Sequence, residues 1–286
     1  MTDRQNDNRA VLAQLTDSAT SDLALFVQEH QPLFVLTGAG CSTLSGLADY
    51  RDAAGKWKRQ QPITGQVFIN DERARQRYWA RSALGWPAFD AAVPNAAHQM
   101  LTQLQTRGFE RQLVTQNVDG LHQRAGHQGV IELHGHLARV TCLGCGRAQS
   151  RTDYQHQLLA INPDLSHQHA TAAPDGDADL EDDTFVVNVP PCTCGGLMKP
   201  DVVFFGENVP RERVQQATAA LAHSRGMLVV GSSLMVYSGY RFCKQAAELN
   251  IPIASINQGV TRADSLLTLN VQADCADALT GLLSRL

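Results

Sequence analysis

The residues best suited to chemistry fall in four places. Gly38, Ala39 and Gly40 follow the apolar run Leu33–Leu36 and open a sixteen-residue stretch, Thr37 to Asp52, that also holds Ser42, Asp49, Tyr50 and Arg51. A buried strand running into Gly-Ala-Gly lets the backbone approach a phosphate closely and aims N–H groups at it. The stretch is not the dehydrogenase fingerprint, because Thr43 stands where the third glycine would be. Next, Gln116, Asn117 and Asp119 place two amides and a carboxylate directly after the strand-like run Gln112–Thr115. His134 follows Val130–Leu133 and precedes Gly135. Histidine is the side chain whose ordinary pKa lets it take a proton near neutrality. Finally, forty-six residues separate the pair Cys142 and Cys145 from the pair Cys192 and Cys194. Four paired thiolates with no accompanying histidine or carboxylate describe a closed structural zinc site, with metal–sulfur bonds of ~2.3 Å.

These residues need a scaffold, and the apolar pattern supplies one. Strand-like runs recur at 33–37, 112–116, 130–133, 227–231, 252–257 and 266–271, with helical stretches at 210–223, 239–249 and 274–285. That alternation predicts an α/β fold: a Rossmann-like parallel sheet with helices on both faces. Residues 1–52, 95–138 and 200–286 would form it. Two insertions would add a smaller module, a helical one at 53–94 and a cysteine-bearing one at 139–199. Within the second, residues 164–184 are acidic and poor in large apolar side chains, which predicts a mobile loop.

Composition bounds the rest. A chain of 286 residues with 43% hydrophobic content and a net charge of -4 has no basic character to recruit nucleic acid. No apolar stretch reaches membrane-spanning length, and Met1 to Ala10 is polar rather than signal-like. Seven cysteines, an odd count with four in close pairs, favour metal in a reducing compartment over disulfides. Asp3, Asp7 and Asp17 do not suit an acid-poor transit peptide. The expected location is cytoplasmic.

Together the motifs strongly resemble the sirtuins, the NAD-dependent protein-lysine deacylases, over roughly residues 30 to 286. The matching segments are Gly-Ala-Gly with Ser42 and Asp49-Tyr50-Arg51, then Thr115 to His122, Leu133-His134-Gly135, the cysteine pairs, Lys199 to Glu207, Gly231-Ser232-Ser233-Leu234 and Asn257-Gln258-Gly259. The resemblance implies that Gly38, Ala39, Gly40 and Ser42 hold the pyrophosphate of NAD, helped by the loop bearing Asp49, Tyr50 and Arg51. It implies that Gly231, Ser232 and Ser233 contact phosphate and ribose, Asn257 with Gln258 and Gly259 the other ribose end, and Cys275 the adenine through its backbone. Gln116 would bind ribose, with Asn117 and Asp119 at the nicotinamide end. In such an enzyme the acyl oxygen of an acyl-lysine substrate attacks the nicotinamide ribose. His134 then acts as general base, and free lysine, nicotinamide and O-acyl-ADP-ribose result. Val202, Val203, Phe204, Phe205 and Gly206 would form an exposed extended segment that pairs with the peptide and walls the acyl tunnel.

Three positions depart from the family pattern. Cys41 replaces an aliphatic residue and Ala48 a proline, while one residue, instead of two, separates Cys192 from Cys194. The set Gln76 to Arg81 with Gly85-Trp86-Pro87 most resembles the class II sirtuins, a branch with a lipoamidase-like member, and implies acyl groups beyond acetyl. Tyr78 and Arg81, at i and i+3 on one helix face, imitate the Tyr-x-x-Arg pair of desuccinylating sirtuins. The expectation adopted is a packed Tyr78 and a solvated Arg81, with apolar acyl chains preferred. Two other readings stay open: mono-ADP-ribosyl transfer from the same NAD pocket, and a non-catalytic NAD-sensing module. The intact His134, Asn117 and Asp119 favour the enzyme.

Overall fold

The computed structural model describes residues 18–58, 62–168, 170–180 and 184–286. Met1 to Ala10, whose polarity bears on targeting, and the acidic residues 181–183 lie outside them. In chain order the helices are α1 (18–30), α2 (Gly65–Asn70), α3 (Glu72–Ala91), α4 (Ala96–Thr106), α5 (Leu121–Arg124), α6 (Arg151–Ile161), α7 (Arg211–Ala222), α8 (Tyr237–Glu248) and α9 (Cys275–Leu283). The strands are β1 (Leu33–Thr37), β2 (Glu110–Thr115), β3 (Ile131–Glu132), β4 (Gly135–Cys142), β5 (Ala148–Ser150), β6 (Ala170–Ala172), β7 (Ala178–Leu180), β8 (Met198–Val202), β9 (Gly226–Val230), β10 (Ile253–Ile256) and β11 (Leu269–Val271). No helix among the described residues is long and apolar enough to cross a membrane.

Six strands form one parallel sheet in the order β11-β10-β9-β1-β2-β3. Its central strands are buried on both faces, which is why they read as continuous apolar runs. Leu33 and Val35 enter a core shared with α1, α4 and α9, while Phe34 and Leu36 enter the opposite core with α7 and α8. β1 meets β9 on one side and β2 on the other, so the chain order reverses between β1 and β9. An open parallel sheet leaves a crevice at the carboxyl ends of the strands flanking such a point.

The last sheet strand is shorter than the run 266–271 predicted. Asp264 accepts hydrogen bonds from the Thr261 N–H (3.0 Å) and hydroxyl (2.6 Å) and starts a 3-10 turn over Asp264–Leu266 that takes up the start of the run and delays the strand to Leu269. The acidic stretch 164–184 also differs from a featureless loop: it carries a 3-10 turn at Pro163–His167 and the β6–β7 hairpin. Its few apolar groups find their partner surface on α3 rather than in a core of their own.

α3 and the small β5-β4-β8 sheet enclose a separate core. Arg151, with no exposed surface, ties its parts together. Its guanidinium donates to Gln155 Oε1 on α6 (2.7 Å) and to the Ser82 carbonyl on α3 (3.1 Å), between the rings of Trp79 and Trp86. Arg151→Ala would leave Gln155 Oε1 buried without its donor and a void beside two indoles. We expect a loss of about 2–4 kcal/mol in urea unfolding, read as a lower midpoint.

Candidate active site

The crevice at the β1/β9 reversal is a cavity of about 1330 Å³. That exceeds the roughly 300–1,000 Å³ of ordinary small-ligand pockets and leaves room for two substrates together. β1 ends in Gly38 and β9 in Gly231, and the two loops interlock. The Gly38 N–H donates to the Val230 carbonyl (3.0 Å) and the Gly40 N–H to the Gly231 carbonyl (2.9 Å). A Cβ on Gly38 would lie 2.8 Å from the Gly231 oxygen, and one on Gly231, at φ +62°, 2.3 Å from the Cys41 nitrogen. Cys41 and Ser42 donate back to Gly38 and Ala39. The loop's N–H groups are therefore largely engaged in holding its own shape. Among the described residues, the Ala39 N–H is the main-chain donor of Gly38 to Ser42 left for a ligand.

Ser42 and Asp119 do not line the cavity; they stand behind its wall. The Ser42 hydroxyl donates to Asp119 Oδ2 (2.7 Å) and accepts from Asn117 Nδ2 (3.1 Å) and His98 Nε2 (3.4 Å). Asp119 Oδ1 accepts the Leu121 N–H (2.9 Å), and the second Asn117 amide hydrogen goes to the Gly38 carbonyl (3.1 Å). Asn117 itself lines the cavity. Gln116, beside it, donates to Ser232 Oγ (2.8 Å) and thereby joins the ends of β2 and β9. One layer deeper, Thr37 bonds both Thr115 Oγ1 and His122 Nε2 at 2.9 Å. His98 and His122 are both buried behind this wall. His98 has the further part of touching Ser42, a contact visible only once α4 packs beneath the loop.

His134 lies at the end of β3 with its ring partly open to the cavity. Nδ1 is 2.8 Å from the Gln116 carbonyl, which can only accept, so Nδ1 carries the hydrogen. Nε2 is then the lone-pair nitrogen, taking the Ser238 hydroxyl at 2.7 Å. Burial brings its pKa down from 6.5 to about 4; the Gln116 carbonyl opposes that and the Arg213 charge adds to it. Ser238 went unseen in the sequence because it follows the glycine-serine motif on α8, 104 positions from its partner.

The remaining cofactor positions line the same cavity: Asp49, Tyr50, Arg51, Ser233, Asn257, Gln258, Gly259 and Cys275. Several are held by their own loops. Asp49 pairs with Lys58, Arg51 donates to the Gly55 carbonyl (2.8 Å) over the Trp57 ring, and Asn257 Nδ2 donates to the Gly259 carbonyl (2.8 Å). Cys275 opens α9, capped by Asp274; burial and then the Asp274 carboxylate push its thiol up to about 12. Burial likewise raises the Cys41 thiol well above its usual value, so both are apolar filling.

Residues 202–206 also face the cavity, but the segment is less exposed than predicted. Phe204 is buried against Phe68 and Tyr78, whereas Phe205 stacks edge-on with Tyr50 and Trp57. Alternation along an extended backbone sends them to opposite sides. The Val203 N–H donates to the His134 carbonyl (2.8 Å), which fixes the segment to the histidine. Tyr78 is packed, as expected. Arg81 keeps 37% of its side chain exposed but is not free: its guanidinium meets Asp177 Oδ2 at 2.5 Å and the Ala178 carbonyl at 2.9 Å.

Residues 38–238 match the sequence profile of the Sir2 family. The chain belongs to the Sir2 family. An NAD-dependent protein deacetylase of Xanthomonas axonopodis pv. citri is 58% identical over 256 residues, covering 89% of this chain and 87% of that one. NAD-dependent protein deacetylase 2 of Bradyrhizobium diazoefficiens is 55% identical over 267 residues, with 93% and 98% covered. Among solved structures, a Sir2 protein with a p53 peptide and NAD+ superposes with a TM-score of 0.73 at 28% identity, over 92% of this chain and 96% of that one.

This Sir2 chain also carries the four-cysteine cluster, with Sγ atoms all within 4.8 Å of one another. Cys142 lies 3.6 Å from Cys194 and Cys145 lies 3.7 Å from Cys192. Four sulfurs at ~2.3 Å from a tetrahedral zinc stand roughly 3.8 Å apart, so the set fits the ion. The one-residue spacer is accommodated by Gly195 at φ +81°, whose N–H closes on the Cys192 carbonyl (2.8 Å). A Cβ on Gly196 would lie 2.6 Å from Cys142 Sγ.

Two outcomes follow from this geometry. Protein purified without chelator should hold about one zinc per chain by elemental analysis, and its removal should raise protease sensitivity first within residues 139–199. The histidines set a pH dependence. Burial lowers both His98 and His134 from 6.5 to about 4. The unfolded chain therefore takes up these protons before the folded one, and stability should fall as pH drops from 6.5 toward 4. The urea midpoint should be lower at about pH 5 than at about pH 7.5, and His98→Gln should flatten the change.

Proposed function

We propose that this chain is an NAD-dependent protein-lysine deacylase, acting on acetyl-lysine and on longer or lipoyl acyl chains as the class II likeness suggests. The observation that carries the reading is His134: a neutral imidazole with its Nε2 lone pair in the wall of a two-substrate cavity, beside Gln116 and Asn117. When bound, NAD supplies an electrophilic ribose carbon and a departing nicotinamide. Gly38 to Gly40 and Gly231 to Ser233 would seat its phosphates and ribose, and Gln116 the nicotinamide ribose. Asp119, behind the wall, would act by holding Ser42 and Asn117 in place.

His134 would take the proton from a ribose hydroxyl at Nε2. The Ser238 hydroxyl sits where that hydroxyl must arrive, and it would turn away as the substrate enters. The Gln116 carbonyl, bonded to Nδ1–H, would steady the cation that forms. Val202 to Gly206 would flank the acyl-lysine, with Phe204 and Val203 as apolar walls. Because His134 and Val203 share a hydrogen bond, base and acyl chain would be held in one register. We further propose the division into a Rossmann-like portion (1–52, 95–138 and 200–286), a helical insertion (53–94) and a zinc-binding insertion (139–199), and a cytoplasmic location.

His134→Ala should retain NAD binding and lose deacylation by at least about a hundredfold, the scale of losing a general base. Isothermal titration with NAD and peptide turnover by mass spectrometry check the two halves. Appearance of O-acyl-ADP-ribose with an acetyl-lysine peptide separates this activity from mono-ADP-ribosyl transfer, which forms none.

A further inference from the structure

The Arg81 guanidinium is held by a carboxylate of its own chain. Tyr78 and Arg81 line the same cavity as His134 and Phe204, and so do Pro174, Asp177 and Leu180 from the second insertion. Arg81 Nη2 meets Asp177 Oδ2 at 2.5 Å, Arg81 Nε donates to the Ala178 carbonyl at 2.9 Å, and Asp179 Oδ1 stands 3.9 Å away. The Nε–Nη2 edge of the guanidinium, one that could grip an acyl carboxylate, is thus already engaged.

The docking is built into the helix. Gly85, one turn beyond Arg81, has no side chain, and a Cβ there would lie 2.4 Å from both the Gly176 and Asp177 carbonyl oxygens. Gly176 adopts φ +67° and lies so close to Leu137 that a Cβ would meet it at 2.6 Å. Ala178 is 1% exposed. Burial raises the Asp177 carboxyl to about 6 against the pull of Arg81, so breaking the pair would leave a poorly hydrated charge.

We propose that Asp177 is a specificity-determining residue: as an internal counter-ion to Arg81, it makes the acyl site accept neutral chains and refuse acyl groups that end in a carboxylate. An incoming carboxylate would have to displace Asp177, strand it in the cavity wall, and sit beside both Asp177 and Asp179. A neutral acyl chain meets none of these obstacles. The inference rests on the deacylase reading above.

The test compares kcat/KM for an acetyl-lysine and a succinyl-lysine peptide of one sequence, with NAD. The wild-type protein should favour acetyl. Asp177→Asn with Asp179→Asn should raise the succinyl-to-acetyl ratio at least about tenfold, chiefly through a lower KM for the succinyl peptide. Adding Arg81→Gln should abolish that gain. Gly85→Ala, which pushes the 176–178 backbone off α3, should shift the ratio in the same direction with both aspartates intact. An unchanged ratio in both the double variant and Gly85→Ala overturns the proposal. So does a gain that survives Arg81→Gln, since mere loosening would then explain it, or a wild-type preference for succinyl. If the wild-type protein turns over neither peptide, the deacylase reading has failed and this inference falls with it.

Discussion

Everything at the site depends on how closely two loops approach each other at the centre of the sheet. Gly40 and Gly231 come from strands β1 and β9, which the chain reaches nearly two hundred residues apart. Their backbones meet in a 2.9 Å hydrogen bond, and a Cβ on Gly40 would lie 2.9 Å from the Gly231 oxygen and one on Gly231 2.6 Å from the Gly40 carbonyl carbon. This contact takes up the polar groups that would otherwise point into the crevice. It also fixes the crevice floor, because neither loop can move without breaking the other's main-chain bonds. A phosphate seated there, as proposed, would meet a rigid, narrow shape more than a fan of free N–H donors.

The polar residues beneath that floor follow from the same constraint. A loop folded so tightly over a sheet edge buries hydroxyls and amides, and buried polar groups need partners. Ser42, Asn117, Asp119 and His98 supply one another, while Thr37, Thr115 and His122 do so one layer down. The network holds Asn117 at the cavity wall without asking Asp119 to reach it. Burial keeps His98 and His122 neutral there, against the pull of the Asp119 carboxylate on His98. His134 differs only in its position: the same burial acts on it, but its Nε2 looks onto the cavity.

What could be read from the sequence was whatever a residue imposes on its own neighbourhood. Gly38, Gly40 and Gly231 limit the backbone locally, paired cysteines announce a chelate, and β1, β9 and β10 are apolar because both faces are covered. Other features depend on placement at long range and had no local signal. Ser238 touches His134 only because α8 lies against the end of β3, and His98 reaches Ser42 only through α4. The β6–β7 hairpin looked unstructured because its composition could not build a core, and the surface it covers belongs to α3. Phe204 and Phe205 could be placed on an extended segment, but not which of them would be buried.

In the proposed reading, the Sir2 framework and the two insertions would carry different parts of the function. The groups proposed to do chemistry sit at strand ends of one sheet, where β-strand pairing fixes them to within a hydrogen bond's tolerance. The proposed acyl pocket would be walled instead by α3 and by the segment that docks on it, and α3 is tied to α6 through side chains such as Arg151. Side-chain contacts of that kind can be exchanged singly without disturbing the sheet. A change at Gly85 or Asp177 alters what lies over Arg81 and leaves the Gly40–Gly231 contact untouched. On the proposed reading, acyl preference could accordingly diverge while the reaction stays the same, and the proposed insertions are where such divergence is to be sought.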